Sequence, residues 1–361
     1  MKLYTPGPVP VPQRVMQAAC QPIIHHHSEQ FKQLLAEARI NVGKIFRTEQ
    51  TVVLLSGSAM TAIESVTAAC VRSGDRVLVL RHGRFGDRLA DCCAVHGAVV
   101  ASCSAPLGDS ISPDQFRVAL QNELAAGPLR AVWLVHSETS TGVSLDLEYI
   151  SSILREASPE TLLLVDGVTS VAIQELCTDS WGIDAVVCGA QKGLMSPPGI
   201  GIIAMSRRFE EVVRGSASIQ YANDLRRVLE VHDKGLMLWT PPVSIVCALS
   251  EATKMILEEG LESVWRRHDD LHAFVRSQAL QRGFIIFGEA TSRALVAISH
   301  PEIRRIREQL KLRHNMLVAD GQDELSGSIM RIGICGSYSV EDMQDLFAAI
   351  DDVLNHLADP S

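Results

Sequence analysis

From Thr51 to Met205 the chain alternates short apolar runs with amphipathic stretches, and this rhythm restricts the possible fold more than any other feature. Thr51–Leu55, Arg76–Leu80, Val99–Ser102, Ala131–His136, Leu162–Val165, Asp184–Cys188 and Gly201–Met205 read as strands. Ala59–Ser73, Gly86–His96, Pro113–Ala126 and Leu147–Ala157 read as the helices between them. Such alternation predicts an α/β fold, a mostly parallel sheet with helices on both faces. In sheets of this kind ligands gather outside the carboxyl ends of the strands. His136, Asp166 and Lys192 fall at or just beyond such ends.

The flanks read differently. Tyr4-Thr5-Pro6-Gly7-Pro8-Val9-Pro10-Val11-Pro12 is too rich in proline for a helix or a central strand and predicts an extended arm. A helix near Pro12–Ala19 follows, then another over Ser28–Phe46, with apolar positions at helical period. After Ser206 the strict alternation stops. Arg207–Glu230 is charged and weakly periodic, Ser244–Glu259 reads as a long helix, and Val340–Leu357 as a closing one. Ile285–Phe287, Ala294–Ile298 and Met330–Ile334 read as short strands. The expected division is an arm over residues 1–20, a large domain over 21–255 and a smaller α+β domain over 256–361.

The bulk numbers narrow the class. The 361 residues are 47% apolar and 21% charged, enough to bury a large core. A net charge of -9 argues against a nucleic-acid or anionic-membrane surface. There is no leader pattern and no apolar run of about 18 residues. The nine cysteines lack C-x-x-C spacing and read as reduced thiols, with neither a disulfide framework nor a metal expected. These features point to the cytoplasm.

The chemistry concentrates at the strand ends. Lys192 sits in Gly189-Ala190-Gln191-Lys192-Gly193, a turn directly after a buried strand, where a lysine must reach water or do chemistry. Asp166 ends another buried strand 26 residues upstream. Together they offer an amine for a Schiff base and an acid for a pyridine nitrogen, the two groups that pyridoxal phosphate (PLP) requires. Ser56-Gly57-Ser58-Ala59-Met60 turns from strand into helix and can present backbone N–H groups to a phosphate, although alone it reads as a plain helix cap. Phe85, in Gly83-Arg84-Phe85-Gly86, is placed to stack on a ring, although taken alone it reads as core. His136 and Glu138 read as structural polar groups.

In order and spacing these segments resemble the class V aminotransferases of PLP fold type I, specifically the alanine–glyoxylate and serine–glyoxylate group. The resemblance spans nearly the whole chain. It includes Pro6-Gly7-Pro8, His25-His26-His27-Ser28-Glu29-Gln30-Phe31, Glu138-Thr139-Ser140-Thr141-Gly142-Val143, Val165-Asp166-Gly167-Val168, Gln191-Lys192 and Pro197-Pro198-Gly199. It implies a large domain with a seven-stranded, mostly parallel sheet between helices, plus a smaller C-terminal α+β domain. By the same resemblance Lys192 carries the cofactor and shuttles the proton, and Asp166 keeps the ring nitrogen protonated. Phe85 and Val168 cover the two ring faces, Ser58, Ala59, Met60 and Gln191 surround the phosphate, and Thr139 lies near the ring oxygen. Thr240 reaches the phosphate of a neighbouring subunit, which implies a homodimer with shared sites. Arg331 clamps the substrate carboxylate, and Gly7 lets the substrate approach the arm.

Two positions depart from the family pattern. Met60 stands where the group usually carries His or Thr, and Met237 where a Tyr often donates to the phosphate. The stretch Ile219–Lys234 has no family signature and is expected near the site entrance. The reading is an aminotransferase moving an amino group between a small amino acid and a small 2-oxo acid of the glyoxylate or pyruvate type. A 2-aminoethylphosphonate-type aminotransferase is a close relative. A PLP-dependent lyase or carbon–carbon bond-forming enzyme on the same scaffold is the alternative, with a scaffold that has lost catalysis behind it. Cysteine desulfurase fits less well, since no cysteine sits in an evident mobile loop.

Overall fold

Seven strands lie side by side in the order Thr51–Ser56, Ile200–Met205, Ala185–Gly189, Leu162–Asp166, Leu129–Val135, Arg76–Arg81 and Val99–Ser104. All are parallel except Ile200–Met205, which runs against both of its neighbours. The computed structural model describes residues 1–217, 220–289 and 291–358. Successive side chains of a strand go to opposite faces. Thus Leu163 and Val165 enter one core, while Leu162 and Leu164 enter the other. Both faces are covered, so both sets are apolar, and the strands look like continuous hydrophobic runs in the sequence.

Helices Glu29–Ile45, Pro113–Ala126, Leu147–Ala157 and Val243–Glu259 cover one face. Ala59–Cys70, Arg84–Val95, Arg207–Arg214 and Leu225–His232 cover the other. Ser28, in the His25–Phe31 segment, starts the first of these by accepting a hydrogen bond from the Phe31 N–H at 3.2 Å. The helix expected over Ala59–Ser73 ends at Cys70, because Val71 is extended and the Arg72 N–H turns to the Asp75 carboxylate at 2.7 Å. The strand expected to run through His136 ends at Val135. Beyond it Ser137–Glu138 pairs with Val143–Ser144 in a short ribbon. The charged segment after Ser206 forms two helices, although Ile219 lies outside the described residues.

A second sheet has the order Lys2–Tyr4, Met316–Asp320, Met330–Gly333, Leu295–Ser299, Ile285–Ile286. Its first strand is the start of the N-terminal arm, parallel to Met316–Val318. The arm begins as an edge of the C-terminal sheet and then crosses toward the larger one. Helices Leu261–Gln281, Ile303–His314 and Val340–Ala358 pack on this second sheet around Phe347, Ile332 and Val296. Leu261–Gln281 bridges the two bodies, with Leu261 and Val264 in the larger core and Leu271 and Val275 in the smaller. Among the described residues no helix is long and apolar enough to cross a membrane.

Candidate active site

Asp166 is the last residue of a central strand, and Lys192 follows the strand beside it. Parallel pairing puts both at the same sheet end. Lys192 stands on a tight turn: a Cβ on Gly193 would lie 2.3 Å from the Val171 carbonyl oxygen. Its Nζ donates to the Pro6 carbonyl at 2.9 Å, so the arm closes over the lysine. Gly7 has φ +142°, and a Cβ there would come within 2.4 Å of Lys192 Nζ. Only glycine fits that crossing.

The electrostatics of the pair follow from burial. Asp166 is 4% exposed, and its Oδ1 accepts from the Val168 N–H at 2.9 Å. Burial pushes its pKa up to about 7; the Val168 bond and the Lys192 charge oppose this, and the Glu138 charge adds to it. Burial also lowers the pKa of Lys192, and the charge of Arg331 acts in the same direction. Each group is therefore held closer to its neutral form than it would be in water.

Around them lies a cavity of about 400 Å³. Every sequence-predicted site residue lines it except Thr240 and Arg331. Ser58, Ala59 and Met60 open the helix Ala59–Cys70, with Gly57 at φ +144° making the turn. The Gln191 amide lies against this turn, because a Cβ on Gly189 would meet Gln191 Oε1 at 2.8 Å and Ala59 Cβ at 3.2 Å. Among the described residues Gln191 Oε1 is buried without a hydrogen-bond partner.

Phe85 is held from behind. Glu138 is fully buried and accepts from the N–H groups of Phe85 at 3.0 Å and Gly86 at 3.2 Å. Its other oxygen accepts from the Ser140 N–H and Oγ–H at 3.0 and 2.6 Å. Glu138 is thus a clamp on the turn that carries Phe85. His136 faces away, toward Gln174 at 3.0 Å, and burial pushes its pKa down to about 3.

Two expected residues stand apart. Arg331 is 7% exposed and lies behind Thr139, donating from Nη1 to the Thr139 carbonyl and from Nε to the Asp320 carbonyl, both at 2.7 Å. Thr240 is exposed, next to Trp239 at φ +62°, and does not reach the cavity of its own chain. Trp239 stacks on Tyr221 with ring centroids 5.6 Å apart. Ser137, Thr169 and Arg88 line the cavity without having been singled out. Arg88 had a readable signal: it follows Phe85 by three residues on a helix, a spacing that shares one face.

The comparisons with known proteins agree with this geometry. The model of the aminotransferase class-V family matches residues 5–342. The chain is 34% identical to the "Soluble hydrogenase, small subunit" of Synechococcus sp. (strain PCC 6716), over 98% of this chain and 93% of that one. It is 32% identical to the L-aspartate–glyoxylate aminotransferase of Paracoccus denitrificans (strain Pd 1222), covering 93% and 86% of the two chains. The solved alanine–glyoxylate aminotransferase of Nostoc sp. superposes with a TM-score of 0.91 at 30% identity, over 98% of this chain and 94% of that one. Matching along almost its whole length and folded in the same way, the chain belongs to the class V aminotransferases, PLP-dependent enzymes of fold type I.

Proposed function

We propose that the chain moves an amino group between a small amino acid and a small 2-oxo acid of the glyoxylate or pyruvate type, in the cavity that Lys192 and Asp166 share. The observation that carries this reading is the lysine itself: a partly desolvated amine, held on the Pro6 carbonyl at 2.9 Å, in one cavity with a buried acid. The relatives named above support the substrate class, since two of them are named for glyoxylate.

The cavity suits PLP on three counts. A helix N-terminus and the Gln191 side chain, whose amide NH₂ is a donor, mark one end, an acid marks another, and an amine stands between. Ser58, the Ala59 and Met60 N–H groups and Gln191 would hold the phosphate, Phe85 and Val168 the ring faces, Thr139 the ring oxygen and Asp166 the ring nitrogen. Bound there, the cofactor supplies an aldehyde for the amine and a cationic ring that draws electrons from the reacting carbon.

The chain supplies the rest. Asp166, reluctant to ionise while alone, becomes a stable carboxylate beside a ring N–H⁺. Lys192, whose basicity burial has lowered, is available as a neutral amine to take up and return the proton at the substrate Cα. Glu138 keeps the Phe85 turn rigid, and the missing side chain at Gly7 leaves room above Lys192. Arg331 would receive the substrate carboxylate as a planar donor fork, releasing the Thr139 carbonyl as it turned.

The proposed assembly is a homodimer in which the exposed Thr240 contributes to the neighbouring cavity. That placement accounts for a family position lying outside its own site. The test is direct. Borohydride treatment with PLP should label Lys192, identified by peptide mass. Alanine, serine or aspartate added without a 2-oxo acid should convert the bound cofactor to its amine form. Lys192→Ala should lose the label and slow that half-reaction by at least about 10²–10⁴-fold. A wild-type protein left unlabelled would overturn the reading.

A further inference from the structure

Arg88 lines the same cavity as Lys192. Among the described residues its guanidinium makes neither an ion pair nor a hydrogen bond, and its one contact of note is the face of Phe85, 4.8 Å from Cζ to the ring centroid. The neighbouring arginines are all engaged: Arg81 with Asp87, Arg84 with Asp323 and Arg331 with two carbonyls. Arg88 therefore brings a positive charge and up to five N–H donors to the cavity, with no carboxylate paired to it among the described residues.

Its position on the helix Arg84–Val95 sets which neighbouring helix that charge meets. Cys92, one turn further along, lies against Thr67 and feels the Glu64 charge, so this face packs on the helix Ala59–Cys70. One turn back, Arg88 lines the same cavity as the first turn of that partner helix, through Ala59, Met60 and Ile63. The turn offers backbone N–H groups and the positive end of the helix. The Met60 side chain offers no donor.

We propose that Arg88 binds the phosphate group of the cofactor and supplies the charged side-chain donor that this turn lacks. The role rests on the reading that PLP occupies the cavity. A guanidinium is the right group for a phosphate monoester, because its paired N–H donors match two oxygens at once.

The test uses the full-length protein stripped of cofactor, as wild type, Arg88→Gln and Arg88→Lys. Each is titrated with PLP and with pyridoxal, the same aldehyde without the phosphate. Affinity is read from the visible absorption that attachment to Lys192 creates. Arg88→Gln should weaken PLP roughly 10- to 100-fold and pyridoxal by no more than about 3-fold, the size expected for a hydrogen bond to a charged group. Arg88→Lys, which keeps the charge but not the fork, should fall between. Equal weakening of both ligands would mean that Arg88 acts only through the Phe85 ring, and would overturn the proposal. So would unchanged PLP affinity, even if the KM for dicarboxylic amino acids rose. Arg88→Lys preserves the comparison if the glutamine variant does not fold. A wild type that never attaches PLP would instead sink the parent reading, a different result from an unselective variant.

Discussion

A carboxyl group buried at the end of a strand resists ionisation until a cation arrives beside it, and Asp166 is held in that condition. In the cofactor-free protein its pKa stands near 7, against about 3.9 in an unfolded chain. Between those values the folded state keeps a proton that the unfolded state has released, so this group's contribution to stability falls as pH rises from about 4 to 7. Asp166→Asn has no such titration. The melting temperature of cofactor-free wild type, measured relative to Asp166→Asn, should therefore decline across that window and level off above it. A difference that stayed flat would show the carboxylate already ionised in the free protein. Bound PLP, with its ring cation, should remove the decline. The burial of Asp166 was legible from the apolar run before it, whereas its perturbed acidity arises from neighbours that only the packed sheet supplies.

At the scale of a single element, the turn Gly83–Gly86 owes its shape to Glu138. That carboxylate accepts four hydrogen bonds while fully buried. Glu138→Gln would put an NH₂ where an oxygen accepts, leaving buried donors unpaired at a cost of about 2–3 kcal/mol. Urea unfolding should show that loss, and PLP affinity should fall with it because Phe85 is freed. A loss below about 0.5 kcal/mol would mean that the turn is held by other contacts. In the sequence Glu138 is one polar residue among several in a loop. Its role as a clamp depends on the ribbon Ser137–Glu138 folding back on a segment more than fifty residues earlier. The ends of the secondary elements show the same limit: the helix Ala59–Cys70 stops early because Asp75 captures the Arg72 N–H, a local competition that periodicity does not register.

Across the whole molecule, the first residues tie the two sheets together. Tyr4 is 1% exposed, stacks on Tyr338 with ring centroids 5.7 Å apart, and donates to the Asp342 carbonyl at 3.0 Å. Two residues later the same segment presents the Pro6 carbonyl to Lys192. Tyr4→Ala should cost about 3–5 kcal/mol, the range for removing a large buried aromatic, read from the urea midpoint. It should also slow the half-reaction, because the arm would no longer be pinned over the lysine. Loss of stability with an unaltered half-reaction would separate the two roles. The sequence shows this arm as extended and proline-rich, but not that its first residues join a sheet built from residues near 316–333.

Chain order and local chemistry determined the larger sheet, the strand ends that carry Asp166 and Lys192, and the small-residue turn at Ser58, since apolar runs, glycines and helix starts are short-range signals. Tertiary structure alone decided that the Pro6 carbonyl, 186 positions from Lys192, would accept its hydrogen bond, that Arg331 would stand behind Thr139, and that Arg88 would line one cavity with the Met60 turn. The reason is geometric: these contacts join segments distant along the chain, and a meeting of that kind is fixed only when whole helices and sheets have packed.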